Sequence, residues 1–442
     1  MIKKKFLLMP AYPPSDFADR INKSIKEFPR YSNTIPGDII EIDGAKYELL
    51  EITDYHYKFR SLVDYTMYVF SVEDLYFNNV IYSPAITKVF TDMMDCSIDE
   101  CWTSIFNNDF SAIMNPDLWK NVPIHPKGPS VDVTVSDLVH PCRYLTEYIG
   151  IEGTNTFGRT YTDIEYSWIA HRVHEGKIID EIPHMKRSEH ESFYETLEST
   201  LKHMMDGFEL AYDFVKGYDP STSFIEDYEI LASDTCASSC TSLPTALPKK
   251  LQFYIKVVDM MIPSELSYNG VWHLEGVPEE HIIATGLCYL PYEIKTEDSD
   301  SKIDISIAFK RVMTKREAER LYYSIGQGEP YLHSYLNKTL MPLGTHHIDD
   351  KNIIVFPNTH VHRVQGFGAD SRDIHRKFIA FFLVDPSKEV PYYDGLPTDS
   401  IIETMTMKDG NTEYAEELIS NMEHRRTAKS SLTPTHIEFC EH

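Results

Sequence analysis

Between Leu251 and Val384 the chain carries five apolar runs that are too short and too rich in β-branched and aromatic residues for helices. They are Leu251–Ile262, His281–Leu290, Ile303–Val312, Asn352–Phe356 and Lys377–Val384. Such runs, separated by turn-forming residues, predict strands. One short helix is expected among them, opening at Thr314 and Glu317 and running to about Ile325. Several short strands with little helix between them restrict this half of the chain to a sandwich or jelly roll.

The preceding part reads differently. Ile86–Phe106 has helical spacing, with Val89, Met93, Ile98 and Trp102 near one face. Residues 110–145 suggest loops and short strands. A long helix is expected from a Ser188–Glu191 capping box to Gly217, with Phe193, Leu197, Leu201, Met204, Phe208, Tyr212 and Val215 recurring every three or four residues. The expected fold is therefore α+β, with an α-rich N-terminal region over 1–218 packing on a β-core. Residues 219–249 are rich in Asp, Ser, Thr and Pro and read as a linker or irregular loop. The core is expected over 250–390 and an extension over 391–442, the last residues being a loose polar tail.

Charge and cysteine usage narrow the function. The formal net charge is −26, which repels phosphate backbones and anionic lipid heads and argues against nucleic acid as a bulk partner. The seven cysteines are scattered and odd in number, so they read as reduced thiols of a cytoplasmic protein. Lys3–Lys5 and the brief apolar run after them are too short for a signal peptide, and no stretch reaches membrane-span length. The expected partner is a small-molecule substrate, with room for a homodimer through the N-terminal half.

The chemistry is carried by Trp272-His273-Leu274-Glu275-Gly276. On an extended segment, residues i and i+2 share a face, so His273 and Glu275 can present an imidazole and a carboxylate to one point. His362, just past the Asn352–Phe356 strand and the Pro357-Asn358 turn, offers a third ligand. Two His and one carboxylate make the facial triad of non-haem iron(II) oxygenases, with open positions for O₂ and a bidentate co-substrate. Arg376, at the start of the last apolar run, could hold the distal carboxylate of a 2-oxo acid by paired hydrogen bonds, with Lys377 turned to the other face.

The segments GVWHLEGVPEEHIIATGLCYL (270–290), NIIVFPNTHVHRVQGF (352–367) and HRKFIAFFLVDP (375–386) resemble DUF4246, a mostly fungal family similar to 2-oxoglutarate/iron(II) dioxygenases. The resemblance is strongest over about 250–390, with weaker similarity near 86–106 and 143–214. It implies a double-stranded β-helix of the jelly-roll or cupin type. It also implies Fe(II) on His273, Glu275 and His362, and 2-oxoglutarate on Arg376. The reaction implied uses O₂, oxidises a C–H bond of a small organic substrate and releases succinate and CO₂. The wider superfamily more often has Asp where Glu275 stands.

Other residues compete. His360 would share the face of His362 and could be the ligand; the family pattern favours His362. His346-His347 is expected in an exposed hairpin turn. His171, His174 and Glu175 have the spacing of a second metal site, but surface or structural roles are the simpler reading. His375 should point away from the site, and Trp272 and Asn358 should either line the pocket or pack. Two enzymatic rivals remain, an iron oxidase needing no 2-oxo acid and a zinc-dependent hydrolase, along with a β-helix that binds without catalysis.

Overall fold

The computed structural model describes residues 36–42, 45–52, 56–62, 67–71, 101–122, 124, 133–154, 160–217, 246–263, 270–291, 293–294, 305–312, 340–348, 352–365, 373–396, 401–403 and 438–439. The linker expected over 219–249, apart from its last few residues, and the helix expected from Thr314 lie outside them, as does most of the C-terminal tail.

The first strands, β1 (Ile39–Ile42), β2 (Ala45–Ile52), β3 (His56–Ser61) and β4 (Met67–Ser71), form an antiparallel meander of their own. Next come β5 (Trp102–Ile105), the short helices α1 (Ser111–Met114) and α2 (Pro116–Trp119), and β6 (Thr134–Val139). Then follow β7 (Tyr144–Thr154), β8 (Thr160–Trp168), β9 (His171–His174) and β10 (Lys177–Ile178), and the 27-residue helix α3 (Glu191–Gly217). The described part of 1–218 is thus mainly strand, and the α-rich region expected there reduces to one long helix and two single turns. Trp102–Ile105, expected to end a helix, is extended because it pairs with residues 352–355, a long-range contact that overrides local spacing. The rest of that expected helix, 86–100, lies outside the described residues. The long helix also starts later than its expected cap. The amides of Glu189 and His190 bond to Lys186 O, closing a separate turn ahead of Glu191.

The remaining strands are β11 (Lys250–Ile262), β12 (His273–Leu274), β13 (Ile282–Tyr289), β14 (Glu293–Ile294), β15 (Ile305–Val312), β16 (Leu340–Ile348), β17 (Asn352–Pro357), β18 (His360–Gln365), β19 (Ile374–Val384), β20 (Ile401–Glu403) and β21 (Glu438–Phe439). All five strands expected in this half are present. β19 begins three residues early and so includes Arg376. His346 and His347 lie inside β16, paired to β15, and not in a turn.

Two sheets take up these strands. The larger has the order β11-β19-β13-β17, extended by β9 and β10 at one edge and β5 at the other; β6 also pairs with β11 and β14 with β19. The smaller runs β16-β15-β18-β12-β21. A third sheet, β20-β7-β8, shares no hydrogen-bonded ladder with these two. From β11 to β19 the chain crosses repeatedly between the two main sheets. This is consistent with a fold of the jelly-roll or double-stranded β-helix type.

Alternation along each strand decides what faces where. Tyr254, Val258, Leu287, Ile354, Phe356, Ala380 and Phe382 from the larger sheet meet Ile307, Phe309, Ile348 and Val364 from the smaller in one buried cluster. The opposite face of the larger sheet, with Phe253, Ile255, Val355, Ile379 and Phe381, is covered by Phe193, Leu197, Leu201, Met204 and Phe208 of α3. The helix lies close enough that a Cβ at Gly207 would come within 2.7 Å of Val355 Cβ, so this position has to be small. None of the helices among the described residues is long and apolar enough to cross a membrane.

His171 is buried beside this core, and neither of its ring nitrogens has a hydrogen-bond partner. His174 is exposed on the other face of β9, so the two cannot share a metal. Burial pushes the His171 imidazole down to about 4, against the partial pull of Asp180. The folded state therefore refuses a proton that the unfolded chain accepts below its ordinary value of 6.5. Stability is full above that pH and is lost as pH falls toward 4, by about 3 kcal/mol. The melting temperature of His171→Phe should consequently fall less than the wild type's between pH 6.5 and pH 4; parallel curves would contradict this.

Candidate metal centre

β12 is only two residues long, yet it sets His273 directly opposite His362 of β18. Cross-strand partners project to the same side of a sheet, and the two rings have centroids 4.2 Å apart. Glu275 follows on the same face, with Oε1 3.7 Å from Nε2 of each histidine. All three residues are nearly closed to solvent, at 3%, 8% and 2% exposure for His273, Glu275 and His362. Their donor atoms lie within 4.8 Å of one another. His360, on the same face and fully buried, is not part of this group.

Second contacts fix how the imidazoles present themselves. His273 Nδ1 is 2.8 Å from Val271 O, and His362 Nδ1 is 3.1 Å from His360 O. A carbonyl can only accept, so each Nδ1 donates to its carbonyl and each Nε2 is turned toward the carboxylate. Metal-binding histidines are oriented by this kind of contact. His360 thus contributes its backbone to the site.

Burial lowers the His362 imidazole below its ordinary value, aided by His273 and opposed by Glu275, so the ring is neutral at neutral pH. For Glu275, burial favours the protonated acid. The facing imidazoles of His273 and His362, with the charge of Lys256, outweigh it and hold the carboxyl well below the usual range. Two imidazole nitrogens and one carboxylate suit a divalent cation. Two donors bound to one ion at about 2.1 Å are at most about 4.2 Å apart, so 3.7 Å from Glu275 to each histidine admits a single ion. Phe356 packs edge-on against His362 at 4.7 Å and Phe309 lies 6.1 Å away, giving the centre an apolar wall.

The turn after Glu275 is held from three sides. Asn358 Oδ1 accepts from Glu275 N at 3.0 Å, while Nδ2 donates to Glu275 O at 2.7 Å and Ile282 O at 3.1 Å. Buried Glu280 accepts from Val277 N and Trp168 N. Gly276 has φ +67°, and a Cβ there would come within 2.6 Å of both Glu280 Oε2 and Ile282 Cδ1, so the glycine is required. Asn358 is therefore a clamp on the ligand loop. Removing it with Asn358→Ala should weaken divalent metal binding about 10- to 100-fold and cost about 1–3 kcal/mol of stability. Calorimetric titration and a melting curve test this, and an unchanged metal affinity would contradict it.

Trp272 is also settled. It points away from the centre, with Lys310 Nζ 4.0 Å and Arg363 Cζ 4.6 Å from its ring centre. This is a cation–π stack on the far side of the smaller sheet.

Arg376 occupies an inward position on β19, in the same alternation as Ile374, Ala380 and Phe382. It is 2% exposed, and its guanidinium lies 4.2 Å from the Tyr289 ring centre. His375 and Lys377 face the other way and share Asp259 Oδ2, each at 3.2 Å. A second inward cation, Lys256, lies on β11 in the alternation of Tyr254, Val258 and Met260. Its Nζ is 5.9 Å from the Phe378 ring centre, and Arg376 Cζ is 5.6 Å from the same ring. The sequence reading missed Lys256, although a lysine in the inward row of a central strand was visible in the alternation.

Residues 238–398 match the model of a family described as "Protein of unknown function (DUF4246)", which bears out the resemblance read from the three sequence blocks. No curated protein matches the chain. Among solved structures, an oxidoreductase of the 2OG-Fe(II) oxygenase family from Burkholderia pseudomallei is 10% identical over 64% of this chain and 84% of its own, with a TM-score of 0.25. AviO1 from Streptomyces viridochromogenes is 10% identical over 64% and 100%, with a TM-score of 0.20. EvdO2 from Micromonospora carbonacea, solved with 2-oxoglutarate, is 13% identical over 38% and 67%, with a TM-score of 0.16. Overlays this loose assign nothing to individual residues, and the chemistry rests on the donors themselves.

Proposed function

We propose, for a chain whose residues 238–398 match the DUF4246 family model, the activity of a non-haem iron(II), 2-oxoglutarate-dependent oxygenase on a double-stranded β-helix. The observation that carries this reading is the buried His273–Glu275–His362 group, with both Nε2 atoms turned inward by backbone carbonyls. In it, the three side chains would hold Fe(II) and leave open positions. When bound, that ion with 2-oxoglutarate and O₂ supplies the oxidising power for a C–H bond, with release of succinate and CO₂.

The chain's own task is positioning and exclusion of water. Arg376 would grip the far carboxylate of 2-oxoglutarate by two parallel hydrogen bonds. Tyr289 holds the guanidinium plane. Phe309 and Phe356 keep the His362 side dry. Asn358 and Glu280 keep the ligand loop from relaxing between turnovers. No side chain is needed as an acid or base for C–H oxidation.

The direct test is product formation. Purified protein with Fe(II), 2-oxoglutarate and O₂ should release succinate slowly even without its organic substrate, and His362→Ala should release none. Iron binding without succinate from the wild type would leave an iron oxidase that uses no 2-oxo acid. Stoichiometric zinc with hydrolytic activity would point to a zinc enzyme.

A further inference from the structure

β11 is a central strand, paired with β19 on one side and with β9 and β6 on the other. Its inward row, Tyr254, Val258, Met260 and Ile262, is buried and apolar. Lys256 breaks that row and is half-buried, while its chain neighbours Ile255 and Val257 are closed to solvent. Phe378, inward on β19, is half-buried as well, and so is Ile282 on β13. Partly exposed side chains on the inner face of the sheet mean that water reaches the space between the sheets there. Among the described residues, Lys256, Phe378 and Ile282 border that opening.

No carboxylate among the described residues pairs with Lys256. Its head stands at the wet end of that space, where an anion entering between the sheets can reach it. The site as proposed needs no such charge. A divalent cation, the Glu275 carboxylate, the dianionic co-substrate and the Arg376 guanidinium already sum to zero. Arg376, the more deeply buried and the one able to make paired hydrogen bonds, suits the co-substrate. The Lys256 ammonium then stands as surplus positive charge at the open side, with the Phe378 ring between it and Arg376.

From this placement we infer that Lys256 receives a carboxylate of the organic substrate, with Phe378 against the adjoining apolar part, so that the substrate is an organic acid. The inference rests on the oxygenase reading above.

The test uses full-length protein loaded anaerobically with Co(II) and 2-oxoglutarate. The probes are hexanoate and hexanamide, and phenylacetate and phenylacetamide, detected by paramagnetic broadening of their proton signals. The wild type should favour each acid over its amide by at least about 10-fold, the scale of one charge-assisted contact. Lys256→Met should lose that preference and Lys256→Arg should keep most of it, with the 2-oxoglutarate requirement unchanged in both. Three results would overturn the inference. They are no acid preference in the wild type (no binding of either probe included), a preference that survives in Lys256→Met, or a Lys256→Met defect in 2-oxoglutarate binding instead. Should 2-oxoglutarate bind to none of the proteins, the oxygenase reading fails by itself, and the acid preference is then judged on the Co(II) form alone.

Discussion

Glu275→Ala is expected to abolish stoichiometric binding of Fe(II), with an affinity loss beyond the roughly 10- to 100-fold typical of contacts that merely orient ligands. Glu275 is the only anion of the three-donor group and the one atom-sharing partner of both imidazoles, 3.7 Å from each. Without it, two imidazole rings face an almost dry space, and an entering dication would find no compensating charge from the donor group. The fold should tolerate the change better than the metal does, because a buried carboxylate is removed along with its desolvation cost. Metal analysis after dialysis, with a melting curve on the same sample, separates the outcomes. A variant that keeps one equivalent of iron would show that other groups form the site.

Arg376→Met carries the second large effect. Methionine keeps much of the buried volume beside Tyr289 and Phe378 but offers no donors. Losing two charge-assisted hydrogen bonds costs about 3 kcal/mol or more, so the 2-oxoglutarate concentration needed for half-maximal succinate release should rise on the order of 100-fold. Iron content should stay at the wild-type level, since Arg376 does not belong to the donor group. An unchanged co-substrate requirement would mean that another cation, Lys256 first among them, is the anchor.

The site was legible because strand geometry converts spacing into direction. His273 and Glu275 share a face by alternation alone, and so do Arg376, Phe378, Ala380 and Phe382. What alternation cannot show is which strands become neighbours. His362 sits opposite His273 through a pairing 89 residues away in sequence, and only the family resemblance separated it from His360. In the structure the ring of His362 stands with His273 and Glu275, and His360 lends its carbonyl to that ring.

The N-terminal half was read less well for the same reason. Trp102–Ile105 has helix-compatible spacing, but its hydrogen bonds go to residues 352–355, and such a partner leaves no local trace. Asn358 and Glu280 act on backbone groups of the ligand loop, and their side-chain types alone do not announce that. Lys256 was within reach, since counting every second residue from Tyr254 to Ile262 puts it in the inward row.

The most direct measurement is an anaerobic titration of the metal-free protein with Fe(II) and 2-oxoglutarate, followed by visible absorption. A weak charge-transfer band that needs both additions, saturates at one equivalent of iron and is missing in His362→Ala is the expected result. Iron bound with no such band, or no iron bound at all, would contradict a 2-oxoglutarate-dependent centre on His273, Glu275 and His362.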